Sequence, residues 1–166
     1  MNIKILVTGG TFDKEYNEKD GTLYFTKTHL FEMLAAGRCK VDVSIRTVML
    51  IDSLDMTETD RGIIADYCKD SEEKHIVITH GTDTMVETAK VLADRSELKG
   101  KTIVFTGAMV PFTFGSSDGQ FNLGSAIPFC QTLPAGVYIA MNGRYFRHDN
   151  VRKNKELGIF EPIKGL

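Results

Sequence analysis

The stretch "ITHGTDTMVETA", residues 78–89, sets two hydroxyls and a carboxylate, Thr82, Asp83 and Thr84, between a short apolar run and a helix-like segment. Core packing gives no reason for that cluster. A hydroxyl beside a carboxylate can serve nucleophile activation or the binding of an ammonium group. A further hydroxyl, Thr11, ends the glycine turn of "LVTGGTF". Gly9 and Gly10 leave space there for a carbonyl carbon to come close. Ser53 and Asp55 in "IDSLDMT", and the hydroxyls of "TGAMVPFTFGSSDG", add polar groups at two more junctions. Singly, each suits ordinary local structure: Thr84 or Asp83 can cap the next helix, and Ser53 can cap a turn. Jointly, they point to a polar pocket fed by several loops.

The elements that must position these groups alternate. The runs "IKILVTGG", "VDVSIRTVML", "HIVITHG", "KTIVFTG" and "AGVYIAMNG" read as strands ended by glycine or threonine. Helical segments are expected over 28–37, 57–70, 84–94 and 119–133. The helix from Thr84 is expected to turn Val86, Ala89, Lys90 and Ala93 to one face. Strands alternating with helices imply a parallel sheet covered on both sides, and the unbroken apolar character of "HIVIT" and "TIVFT" agrees. In such sheets ligands bind at the carboxyl ends of the strands, near the switch in strand order. The hydroxyl-bearing junctions all fall at that edge. The segment from Asp13 to Lys27 is long, polar and glycine-containing, as a closing lid would be.

The totals narrow the chemistry. The chain has 166 residues, 42% hydrophobic and 25% charged, which suits one domain with its own core. A net charge of −2 offers no basic field for nucleic acid or anionic lipid. The basic run over 144–155 reads as a solvated face. The first apolar run is too short for a signal peptide, no run is long enough to span a bilayer, and a cytoplasmic location is the expectation. Cys39, Cys68 and Cys130 are scattered and odd in number, so a structural disulfide is not expected. No phosphate-loop or dinucleotide fingerprint follows the first strand, and there is no G-x-S-x-G elbow. The four histidines lack metal spacing, and His80 reads as a structural hydrogen-bonding residue. No metal or cofactor is expected, and any catalysis must use Thr, Asp, Lys or Tyr.

In order and spacing, "LVTGGTF", "IDSLDMT", "ITHGTDTMVETA", "IVFTGAMVP", "SSDGQFNLGSA" and "GVYIAMNGRYFRHDNVRK" resemble the bacterial-type L-asparaginases. The resemblance runs from residue 4 to about 155. It implies a flavodoxin-like three-layer α/β fold with a central, mostly parallel sheet. It also implies an amidohydrolase that converts L-asparagine to L-aspartate and ammonia without metal or cofactor. By motif, the nucleophile matches Thr11, the second catalytic threonine Thr82 and its neighbouring acid Asp83. The family's lysine, 12 positions after Met141, matches Lys153. Ser53 matches the substrate-binding serine; Gly10, Thr82, Asp83 and Ala108 are expected to line the same pocket. A lid tyrosine that bonds the nucleophile matches Tyr24 in preference to Tyr16.

A threonine hydroxyl is a poor nucleophile alone, and two routes to its activation stay open. One passes through Thr82, with Lys153 accepting a proton and Asp83 orienting it. A carboxylate neighbour favours the charged ammonium, whereas a base must be neutral, so burial must win or the lysine must act as a positioned donor. The other uses Tyr24 as the close partner of Thr11. Asp83 has a second duty open to it, accepting hydrogen bonds from a substrate α-ammonium, while Ser53 meets the α-carboxylate.

The chain departs from its relatives in length. They usually carry a second, smaller domain that completes a neighbouring subunit's pocket; here residues 1–166 are expected to form a single domain of the N-terminal type, as a natural one-domain form. Leu54 stands where a glutamine commonly follows the serine, and Val110 where an arginine commonly precedes the proline. The alternatives are a catalytically weak amino-acid-binding module, or an amidase for glutamine or a larger amide. By resemblance the chain is expected to form a homo-oligomer, dimer or tetramer, with Phe112, Phe114 and Phe121 as candidate interface anchors.

Overall fold

The computed structural model describes residues 1–164. The chain runs through β1 (Asn2–Gly9), a hairpin of β2 (Lys14–Asn17) and β3 (Thr22–Phe25), α1 (Leu30–Ala36), β4 (Asp42–Ile51) and α2 (Glu58–Asp70). It continues through β5 (His75–Thr79), α3 (Met85–Ala93), β6 (Thr102–Thr106), α4 (Gly119–Thr132), β7 (Gly136–Met141) and β8 (Arg144–Arg147). A second hairpin, β9 (Arg152–Asn154) and β10 (Ile159–Glu161), follows.

Six strands form one sheet in the order β4-β1-β5-β6-β7-β8, parallel except for β8 at the edge. Leaving β8 aside, the parallel strands lie in the order second, first, third, fourth, fifth, which is flavodoxin-like. Val77, Ile78, Val104 and Phe105 are fully buried because β5 and β6 are covered on both faces.

Strand alternation divides the core in two. Ile3, Ile5, Val7, Val77 and Val104 pack under α1 and α4 with Met33, Leu123 and Ala126. Leu6, Ile76, Ile78, Ile103 and Phe105 pack under α2 and α3 with Ile64, Met85, Ala89 and Leu92. Each of the buried Val, Leu, Ile, Phe and Met side chains contributes about 1.5–3 kcal/mol relative to exposure.

Three sequence expectations need correction. The segment after the first strand is no open loop: Lys14–Asn17 pair antiparallel with Thr22–Phe25. The basic run over 144–155 keeps Arg144, Arg147, Arg152 and Lys155 exposed as a solvated face, but Lys153 is half-buried, and β8 and β9 run through it. In α3 the buried stripe is Met85, Thr88, Ala89 and Leu92; Lys90 is exposed and Val86 only partly covered. The core-facing arc is thus turned from the expected one, since a sheet contact selects whichever arc is apolar throughout. At α2 the expected helix start at 57 carries a reciprocal capping box between Thr57 and Asp60.

Candidate active site

β1 has β4 on one side and β5 on the other, so the chain reverses its strand order there. The loops leaving β1, β4 and β5 therefore meet at one edge, and glycine lets them touch. Gly10 adopts φ 78°, and a Cβ on it would run into the backbone of Gly81. A Cβ on Gly81 would come 2.5 Å from Ser53 Cβ. Thr11 and Thr82 flank the Gly10–Gly81 contact, which brings the two hydroxyl-bearing turns together. Thr11 opens a 3-10 turn, Thr11–Asp13, and its hydroxyl makes no hydrogen bond among the described residues.

Lys153 closes on this rim from the far end of the chain. Its Nζ lies 2.8 Å from Thr82 Oγ1 and 2.8 Å from Asp83 Oδ1. The lysine side chain is 11% exposed and that of Asp83 34%, so the charge is held at the border between protein and solvent. The approach depends on a chain of amides. Asn122 Nδ2 donates to Gly107 O at 2.9 Å, and Asn142 N–H donates to Asn122 Oδ1 at 3.1 Å. Asn142 Oδ1 in turn accepts from Phe160 N–H at 3.1 Å. Phe160 is buried on β10 opposite Lys153 on β9. The ends of β6 and β7 thereby hold the hairpin that carries the lysine. Asn142 takes φ 57°, a left-handed conformation that asparagine tolerates better than most residues.

A second network fixes the turn from below. Arg61 Nε donates to Thr88 Oγ1 at 3.2 Å. The Thr88 hydroxyl pairs with His80 Nε2 at 2.8 Å, and His80 Nδ1 lies 2.8 Å from Gly81 O. Carbonyls only accept, so Nδ1 carries the proton and Nε2 receives the threonine's. Burial, helped by the Arg61 charge and only partly opposed by the Gly81 hydrogen bond, pushes the imidazole down to about 4. His80 is therefore a neutral brace on the carbonyl preceding Thr82, in keeping with its structural reading.

The remaining expected residues divide. Ser53 is 2% exposed, and its carbonyl accepts from Thr84 Oγ1 at 2.8 Å. Thr84 thus ties two loops together and makes no side-chain cap on α3. Tyr24 lies on β3, is 40% exposed and makes no hydrogen bond to Thr11. Ala108 is 1% exposed with its methyl in the core. Leu54 is exposed beside Ser53.

Sequence reasoning missed Asp13, Lys14, Asp52, Arg61, Thr88, Asn122 and Asn142. Asp13 is buried at the end of the 3-10 turn that Thr11 opens, and burial raises its pKa against hydrogen bonds from His29 N–H and Thr28 Oγ1. The adjacency of Asp13 and Lys14 to Thr11 was the one local signal available. Among the described residues no group of three or more His, Cys, Asp or Glu side chains could hold a metal ion, and no helix is long and apolar enough to cross a membrane.

Comparison with known proteins bears on this arrangement. A family model described as "Asparaginase, N-terminal" matches residues 2–159. L-asparaginase 1 of Escherichia coli (strain K12) is 37% identical over 107 residues, covering 63% of this chain and 32% of that protein. The solved thermostable L-asparaginase from Thermococcus kodakarensis superposes with a TM-score of 0.86 at 28% identity, covering 100% of this chain and 52% of that one. A probable cytoplasmic L-asparaginase from Campylobacter jejuni gives 0.84 at 30% identity, covering 97% and 52%. The chain spans about half the length, or less, of these relatives.

Proposed function

This chain belongs to the asparaginase family, and on that premise we propose that it hydrolyses the side-chain amide of L-asparagine to L-aspartate and ammonia, with Thr11 as nucleophile. Thr11 Oγ1 attacks the amide carbonyl carbon while its proton passes to Thr82 Oγ1, as that hydroxyl gives its own proton to Lys153 Nζ, which serves in this step as the neutral amine. The proton taken from Thr11 passes to the amide nitrogen, the C–N bond breaks and ammonia leaves. Water attacks the resulting ester, the bond from carbonyl carbon to Thr11 oxygen breaks, and the hydroxyl is regenerated. No cofactor enters this scheme.

One observation carries the reading. Lys153 Nζ stands 2.8 Å from both Thr82 Oγ1 and Asp83 Oδ1, within reach for direct proton transfer. Asp83 Oδ1 holds the lysine, so its other oxygen serves the substrate's α-ammonium, and Ser53 serves the α-carboxylate. Gly10 allows the backbone to approach the substrate without a side chain. Tyr24 enters only through movement of the hairpin toward Thr11.

We assign the work to the cytoplasm by analogy with the Campylobacter protein, which cell fractionation tests. We also assign it to a homo-oligomer, dimer or tetramer. Phe114 and Phe121, 48% and 62% exposed, are the anchors to mutate in sedimentation experiments.

The deciding experiment is ammonia release from asparagine by the wild type and by Thr11→Ala. Turnover by the wild type with a loss of about a thousandfold or more in the variant supports the assignment. Equal rates in the two proteins, or binding of asparagine by the wild type without ammonia, would overturn it.

A further inference from the structure

We propose that Lys14 is a positioning residue whose ion pair with Asp52 sets the gap between the nucleophile turn and the Ser53 loop, and thereby the length of amide substrate the site accepts. The proposal rests on the asparagine-type reading of the same site.

Lys14 meets four segments. Its backbone N–H donates to Thr11 O, closing the 3-10 turn that holds the nucleophile. Its carbonyl accepts from Thr113 Oγ1 at 3.2 Å, in the loop after β6. Its ammonium pairs with Asp52 Oδ2, immediately before Ser53, and also sits 5.7 Å from the centroid of the Phe25 ring.

Asp52 is equally committed. Its Oδ1 accepts from Leu54 N–H at 3.0 Å, so the carboxylate clasps the loop around Ser53 while holding the lysine. The two side chains are only 15% and 32% exposed, which shields the pair from full screening. Burial raises the Asp52 pKa, but the hydrogen bonds from Lys14 and Leu54 outweigh it and the net shift is downward.

A substrate reaching from Thr11 to Ser53 is measured between these two loops. Gly10 against Gly81 and Gly81 against Ser53 already bring the loops into contact from the β5 side. Lys14–Asp52 closes the remaining side of the triangle. Asparagine and glutamine differ by one methylene, a difference worth about 10–200-fold to a well-fixed pocket. A pocket with one wall released discriminates less.

The test compares wild type, Lys14→Met, Lys14→Arg and Asp52→Asn for KM and kcat on asparagine and glutamine. Backbone hydrogen exchange over 14–25 and 52–56 is followed in the same proteins. Lys14→Met keeps the apolar stem beside Phe25 and removes the charge, and Asp52→Asn removes the other charge should the first variant fold poorly. The expected result is a KM for the preferred amide raised about tenfold, or about 1.4 kcal/mol, with kcat changed far less. The ratio of kcat/KM between the two amides moves toward one, Lys14→Arg restores both values, and exchange rises in both segments.

A merely structural role would lower stability without moving the amide ratio. Unchanged KM and ratio in Lys14→Met and Asp52→Asn, with an active wild type, would overturn the proposal. A wild type inert on both amides would sink the functional reading instead; the exchange arm then decides, and unchanged protection in both variants overturns the clamp.

Discussion

Lys153 Nζ lies 2.8 Å from Thr82 Oγ1 although 71 residues separate the two. Asp83 holds the same ammonium, and the pair stands on the edge that receives Thr11. Removing the amine by Lys153→Met leaves the apolar stem in place. A fall in kcat of about 10²–10⁴ is expected, with circular dichroism unchanged. Ammonia release at wild-type rates would exclude the lysine from proton handling.

Thr82→Val keeps the shape of the side chain and removes its oxygen. The variant should fold normally, because the surrounding strand ends remain, and should lose about a hundredfold or more in kcat. Thr82→Ser restores the oxygen and should recover much of the rate. Steady-state kinetics on the three proteins check this.

His80 predicts a particular acid response. Its ordinary pKa of 6.5 drops to about 4 in the fold, so between those values the unfolded chain holds a proton that the folded chain refuses. Stability from this group is complete above about 6.5 and falls as pH drops, at roughly 1.4 kcal/mol per pH unit, until about 4. His80→Gln should flatten that part of the urea-midpoint profile. A profile as steep as the wild type's would show that another group supplies the slope.

Asn142 separates backbone cost from side-chain cost. Asn142→Gly accepts the φ of 57° and loses only the hydrogen bond to Phe160 N–H. Asn142→Ala loses the same bond and adds about 1 kcal/mol or more of left-handed strain. Both should lower kcat more than they raise KM, because they loosen the hairpin bearing Lys153, and Ala should be the less stable of the two in thermal unfolding.

Gly10→Ala should be harsher. Its methyl would meet the Gly81 backbone, and its φ of 78° is unsuited to an L side chain. Separation of the two turns, with a loss of about 2–3 kcal/mol and of nearly all turnover, is expected. Near-native melting and activity would show that the Gly10–Gly81 contact is dispensable.

Much of the frame was legible because it is written in local chemistry. β-branched runs ended by glycine read as buried parallel strands, and the segment 57–70 read as a helix. The glycine turns marked where Thr11 and Thr82 stand. Reading was weakest at short polar strands and helix faces: β2–β3 and β7–β8 pair chain neighbours across tight turns, but polar side chains in β2 and β8 mask the strand pattern, and the arc of α3 depends on what packs against it. Ala108 is buried with its methyl in the core, and Tyr24 stands on a hairpin strand without a bond to Thr11.

By itself, the sequence determined the alternation of strands and helices, the hydroxyl-bearing glycine turns at the strand ends and the family resemblance, because these depend on side-chain period, backbone freedom and motif. Only the tertiary structure decided that Lys14 reaches Asp52, that Asn142 holds Phe160 beside the lysine's strand, and that Arg61, Thr88 and His80 brace the carbonyl before Thr82. Those contacts join segments whose separation along the chain leaves no periodicity to read. Their geometry exists only once the sheet has brought the loops to one edge.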